Sequence, residues 1–260
     1  LILPEIPNDE MNDIPVFGKA IAFGSTPRGD WYDVGQIPGY LRELVHAYHA
    51  CVTFVDDQLG RVIDALKESG QWDNTIVVLW SDHGQHLGEK RHFRKMALWE
   101  ESTRVPLYFR IPGNKNQGAK SRQVVSLLDI YPTLVDLCGL PQLEKLEGNS
   151  LTPLLEKPDT VWEKPVLTTW YYKNHAVRSN NWRYIRYRDG SEELYDHKND
   201  SGEHVNLAGN PKYADIIAEH KKWLPRHDAL PAGMDQWEGD KYTKMLETWR
   251  SNDSIPFWLE

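Results

Sequence analysis

Two cysteines in 260 residues are too few for a disulfide framework. Cys51 and Cys138 both fall in apolar helical patterns, which predicts buried free thiols and no metal site built on them. No apolar run approaches the ~20 residues that span a bilayer, which argues against a membrane-embedded protein. Basic residues are outnumbered, 30 to 38, and the net charge of −8 argues against a surface devoted to nucleic acid. The chain also lacks an initiator Met at Leu1 and a charged-then-apolar leader, so a processed or trimmed chain is expected. What remains, 40% hydrophobic and 26% charged residues, is ordinary for a globular fold. Eleven Trp and twelve Tyr are the excess; aromatic surface suits sugar rings, although most such rings go into cores.

Residues 1–39, rich in Pro, Gly, Asn and Asp, read as an extended surface segment. Leu41, Val45, Tyr48, Val52, Val55, Leu59, Val62 and Leu66 recur at helical spacing up to Gly70, which predicts a long amphipathic helix. The continuous apolar run Thr75–Trp80 predicts a strand buried on both faces of a parallel sheet, within a βαβ unit. Pro106–Ile111 is a second strand, Val124–Cys138 a helix stopped by Gly139, and Pro153–Glu156 a short helix. From about residue 160 short β runs alternate with turn residues, an antiparallel meander, followed by a helix over 211–227 and an irregular tail after Leu230. The expectation is an α/β core over 1–160 and a small α+β unit over 161–260.

The chemistry concentrates where the apolar run ends, in S-D-H-G-Q-H-L-G-E over 81–89. Ligands in open α/β sheets sit beyond the carboxyl ends of strands. An oxygen from Asp82 and an imidazole from His83 at that edge suit a cation: Ca²⁺ or Mg²⁺ by the oxygen, a transition metal such as Zn²⁺ by the ring. A cap by Asp82 with a locally bonded His83 is the other reading. Lys90–Lys95 then places five basic-capable residues in six, either a solvated loop or an anion site for sulfate or phosphate oxygens.

This run, with H-F-R-K over 92–95 and L-W-E-E-S-T-R-V-P-L-Y-F-R-I-P-G over 98–113, resembles the C-terminal half of a type I sulfatase. Within that family it is most similar to bacterial iduronate-2-sulfatase-like enzymes. Later segments agree in order: L-L-D-I-Y-P-T-L-V-D-L-C-G-L, L-E-G-N-S-L-T-P-L-L, N-H-A-V-R, W-R-Y-I-R-Y, E-E-L-Y-D and N-L-A. The resemblance covers about residues 40 to 229. It implies an alkaline-phosphatase-like, mixed-sheet α/β core with a small antiparallel α+β subdomain. It implies Ca²⁺ held by Asp82 and His83, and Lys95 on the sulfate and its leaving oxygen. Gln85, His86 and Arg94 in the loop, and Asn174 and His175 from the C-terminal unit, are the candidate substrate contacts.

One departure matters. The family's C-x-P-S-R, whose Cys becomes the formylglycine nucleophile, is absent: Cys51 sits in C-V-T-F-V and Cys138 in C-G-L-P-Q. The acidic pair and the histidine of the family's first half are absent too. The expectation is the C-terminal half of a sulfatase acting on a sulfated carbohydrate, with the N-terminal half as partner and neither nucleic acid nor membrane involved. A periplasmic, secreted or lysosomal setting is implied by the family alone. A phosphate or phosphonate ester hydrolase of the same superfamily, or an inactive anionic-glycan-binding remnant, are the alternatives.

Overall fold

The computed structural model describes residues 1–23, 30–230, 232–233 and 244; most of the tail expected to be irregular therefore lies outside the described residues. Helices α1 (Val16–Phe23), α2 (Asp30–Gln36) and α3 (Tyr40–Glu68) come first. Strand β1 (Val77–Trp80) leads into a hairpin of β2 (His86–Leu87) and β3 (Phe93–Arg94), then α4 (Glu100–Thr103) and β4 (Leu107–Arg110). Helices α5 (Ile130–Leu137) and α6 (Thr152–Glu156) follow. A four-stranded antiparallel meander, β5 (Val166–Trp170), β6 (Asn174–Arg178), β7 (Trp182–Arg186) and β8 (Glu192–Asp196), precedes α7 (Ala214–Lys221). Among the described residues no helix is long and apolar enough to cross a membrane.

The opening segment is not an extended surface strip. Met11, Ile14, Phe17, Ala20 and Ile21 are buried, and they share one cluster with Ala97, Leu98, Trp99, Trp170, Ile185 and Tyr195. Turn-forming residues hid a short helix whose apolar side chains complete the core. That cluster draws residues from both sides of residue 160, so the meander packs against the loop before α4.

Several local expectations are corrected. β1 pairs antiparallel with β4, Val77 opposite Arg110 and Trp80 opposite Leu107, not within a parallel sheet. Its faces are half open, with Leu79 38% and Trp80 48% exposed. A continuous apolar run reports that a strand is to be covered, not what covers it. The same holds for α3, where Val45 is buried while Val52, Val55 and Val62 of the expected stripe are exposed. Cys51 and Cys138 are exposed free thiols, because the apolar faces on which they sit are themselves open. The helix expected over 124–138 starts later. A single turn at Leu127–Asp129 is capped by reciprocal Ser126 and Asp129 bonds, and α5 follows. The helix expected over 211–227 is a turn at Pro211–Tyr213 followed by the shorter α7.

The meander alternates as a sheet covered on both faces must. Cross-strand partners Val177, Tyr184 and Leu194 face α7, where Ile217 closes a second cluster. Ala176, Ile185, Arg183 and Tyr195 face the other way, toward the loop that leaves β3.

Candidate active site

Asp82 and His83 follow directly on β1, at its carboxyl end. The Asp82 side chain is 82% exposed and its Oδ1 accepts a hydrogen bond from the His83 backbone N–H at 3.1 Å. The His83 Nδ1 lies 2.8 Å from the Gly84 carbonyl oxygen, so Nδ1 carries the proton and donates. That leaves the Nε2 lone pair facing Asp82 Oδ2 at 3.5 Å. Two acceptors at this spacing are held together well by a shared cation, whose bonds of about 2.3–2.6 Å span such a gap. The donor set of this pair therefore fits a divalent ion. Gly84 keeps the turn tight: its N–H donates to the Ser102 carbonyl oxygen at 2.9 Å, and a Cβ there would overlap the Glu101 carbonyl oxygen. The strand end and α4 are thereby locked to each other.

The loop bearing Lys95 is a two-residue-strand hairpin, His86 opposite Arg94 and Leu87 opposite Phe93. Its turn holds Lys90 and Arg91 at φ 55 and 48, and Arg94 follows at φ 87, all in the left-handed region. Each such residue costs roughly 1–2 kcal/mol relative to the right-handed basin, so the surroundings must over-determine the loop. They do. Lys90, 2% exposed, takes a bond from its own N–H to Glu10 Oε2 at 3.2 Å, and its ammonium donates to the Glu203 carbonyl oxygen and lies over the Tyr195 ring. Arg91 donates to the Asn8 carbonyl oxygen at 2.6 Å. Arg94 and Lys95, beyond these anchors, are exposed.

Immediately after Lys95 the chain is pinned to the meander. Arg183 Nη1 donates to the Leu98 carbonyl oxygen at 3.0 Å, Trp99 Nε1 to Glu193 Oε2 at 2.7 Å, and the Glu100 N–H to Glu203 Oε2 at 2.9 Å. Arg183 also pairs with both Glu100 and Glu203, and His197 sits 2.7 Å from Glu203. Glu100, His197 and Glu203 are, among the described residues, the one group of three metal-ligating side chains that converge. The Arg183 guanidinium already fills the cation's role between the two carboxylates, so we read the group as a buried ion network. Sequence reasoning read Lys90 as part of a solvated loop or anion site, whereas it is buried, and it missed Arg183, Glu193 and Glu203. Their only signal was charge at inward positions of strands and turns.

The candidate contacts separate. Gln85 lies between the Asp82–His83 pair and the hairpin and is half-buried. His86 is fully buried, its Nδ1 donating to the Glu89 carbonyl oxygen at 3.0 Å and its ring edge-on to His92 and Trp99. Burial drives its pKa down to about 3, so it is a neutral core side chain and presents nothing to a solvent-borne substrate. Asn174 is also buried, its Nδ2 donating to the Trp170 and Tyr172 carbonyl oxygens and its Oδ1 accepting from the Arg188 N–H. It holds the β5–β6 turn. His175, one residue on, faces the opposite side of the sheet, with Nδ1 2.9 Å from Thr169 Oγ1 and Nε2 2.6 Å from Asp228 Oδ1. Strand alternation forbids both from reaching one site, and neither side chain is open to substrate.

The chain matches the Sulfatase family over residues 8–140 and the family described as N-sulphoglucosamine sulphohydrolase, C-terminal, over 88–229. A curated "Sulfatase" from Formosa agariphila is 43% identical over 227 residues, covering 87% of this chain and 44% of the relative. A solved structure described as a 2-O GAG sulfatase matches with TM-score 0.74 at 30% identity, covering 85% of this chain and 51% of that one. A phosphonate monoester hydrolase from Silicibacter pomeroyi matches with TM-score 0.74 at 25% identity, covering 97% and 51%. The chain thus spans about half the length of these relatives. The fold is the alkaline-phosphatase-like α/β fold of the sulfatase structures. On the strength of the family match and the 43% identity, the chain belongs to the sulfatase family.

Proposed function

We propose that this chain is the Lys95-bearing part of an enzyme that hydrolyses sulfate esters on a carbohydrate, with calcium and a formylglycine nucleophile. The observation that carries the reading is the strand-end pair: His83 commits Nδ1 to Gly84 and turns Nε2 toward the Asp82 carboxylate. Asp82 and His83 would hold the ion, and a bound divalent cation there supplies positive charge to sulfate oxygens. Lys95, exposed on an anchored loop, donates to the ester's bridging oxygen and offsets the charge that develops as the alcohol departs. Gln85 and Arg94 flank these groups and contact the sulfate or its sugar.

The nucleophile comes from a partner segment, the N-terminal half of the same enzyme. Supporting this are the absence of C-x-P-S-R from the sequence and the open apolar faces at Phe54, Val55, Trp80, Tyr108 and Tyr131. Within the whole enzyme, residues 1–160 belong to the α/β core and 161–260 to the α+β unit. A sulfated glycosaminoglycan is the substrate class supported by the 2-O GAG sulfatase likeness. An exported setting, in a periplasm, a lysosome or the exterior, completes the reading. Hydrolysis of phosphonate esters is the second reading, supported by the likeness to a phosphonate monoester hydrolase.

Metal analysis of the complete enzyme tests the pair. Wild type is expected to carry calcium, and Asp82→Ala to lose most of it while keeping its circular-dichroism spectrum. Calcium content unaltered in Asp82→Ala would remove the pair from the metal site, and zinc in its place would favour the phosphonate reading.

A further inference from the structure

The β5–β6 turn places Tyr171 at φ 53 and Lys173 at φ 63, two left-handed residues in three, where glycine or asparagine is the undemanding choice. Neither is fully buried, although the Tyr171 ring tilts against Trp170 with 6.0 Å between centroids. Tyr171 is 45% exposed, and the Lys173 ammonium lies 5.1 Å from the centre of the Tyr172 ring at the surface. The turn is nevertheless rigid, because the buried Asn174 side chain ties the Trp170 and Tyr172 carbonyl oxygens together and receives the Arg188 N–H. Trp170, just before it, is buried in the cluster that also holds Ala97, Leu98 and Trp99, which begins two residues after Lys95. The residue that leads into the turn therefore packs in the same cluster as the segment that follows Lys95.

Large side chains kept at strained positions on a preordered turn, Tyr171 exposed and Lys173 half-buried, point to contacts outside the chain. We propose that Tyr171 and Lys173 form a carbohydrate subsite of the enzyme: the Tyr171 ring lies against a sugar face and the Lys173 ammonium takes a carboxylate or second sulfate of the sugar chain. This rests on the sulfatase reading and adds to it the element that distinguishes an anionic saccharide from a simple sulfate ester. Aromatic faces and a cation on a preordered turn supply both contacts with little ordering cost.

The test uses Tyr171→Gly and Lys173→Gly in the complete enzyme, with a 2-O-sulfated uronate disaccharide and 4-nitrophenyl sulfate as substrates. Each variant is expected to lower the disaccharide-to-aryl kcat/KM ratio at least tenfold, chiefly through disaccharide KM, with the thermal midpoint kept or raised because glycine accepts the backbone. A ratio within twofold of wild type in both variants would overturn the subsite. So would a parallel loss on both substrates with a lowered midpoint, which is what a purely structural turn gives. Wild-type enzyme inert toward both substrates would instead overturn the sulfatase reading, and the subsite with it.

Discussion

Replacing Lys95 by alanine in the complete enzyme should lower kcat/KM for a sugar sulfate by about 10²–10³-fold, the usual loss when one preorganised donor to a developing oxyanion is removed. The size follows from position. Lys95 is exposed, so its ammonium is available to substrate, but the chain on either side of it is not free to move. Lys90 is sunk into the core on one side, and Leu98, Trp99 and Glu100 are bonded to the meander on the other. The backbone that carries the donor is therefore anchored on both sides. The loss should also depend on the leaving group. An alkoxide departing from a sugar needs its charge offset, whereas a nitrophenolate leaves with little help, so 4-nitrophenyl sulfate should suffer much less. Steady-state rates on both substrates decide it: near-full activity of Lys95→Ala on the sugar sulfate would refute the leaving-group role.

Arg183→Ala should destabilise the chain by about 3–5 kcal/mol, the cost of stripping one partner from a buried ion pair. Arg183 is 1% exposed and serves Glu100, Glu203 and the Leu98 carbonyl oxygen at once. Without it, Glu203 loses its guanidinium and keeps His197, while Glu100 is left to Arg178. Arg183→Lys should recover little, since one ammonium cannot reproduce the planar fork that meets three acceptors. The network also fixes an acid limit. Burial alone would raise the Glu203 carboxyl, but Arg183, His197 and the Glu100 N–H override it and hold its pKa at about 2. The folded value lies below the ordinary one of 4.5, so this contribution is complete above that pH and is lost as pH falls toward about 2. Urea unfolding of wild type and Arg183→Ala across that range should show the gap between them closing in acid. A gap below about 1 kcal/mol at neutral pH would mean that the network contributes little net stability.

What could be read from the residues follows their physics. Asp82 and His83 stand out as candidates because they sit at the end of an apolar run, and the meander was legible because its turns are spelled out by Asn, Asp and Gly. Lys95 becomes a candidate through the surrounding motifs alone, since a lysine in a basic loop is otherwise an ordinary solvated residue. His86 and Asn174 were misread because polarity near a site looks the same whether the side chain faces substrate or closes a turn. The Arg183–Glu203 network was invisible because its members join segments as far apart as Glu10 and Glu203. The stripe on α3 was read as the apolar face of a long helix, which it is: periodicity shows which face wants a partner, and the described residues leave that face open.

Sulfate release by the complete enzyme, measured beside hydrolysis of a phosphonate monoester under the same conditions, tests the central claim most directly. The account predicts turnover of a 2-O-sulfated uronate saccharide with inorganic sulfate as product, and the phosphonate ester as the poorer substrate. Efficient phosphonate hydrolysis with no sulfate released would contradict it.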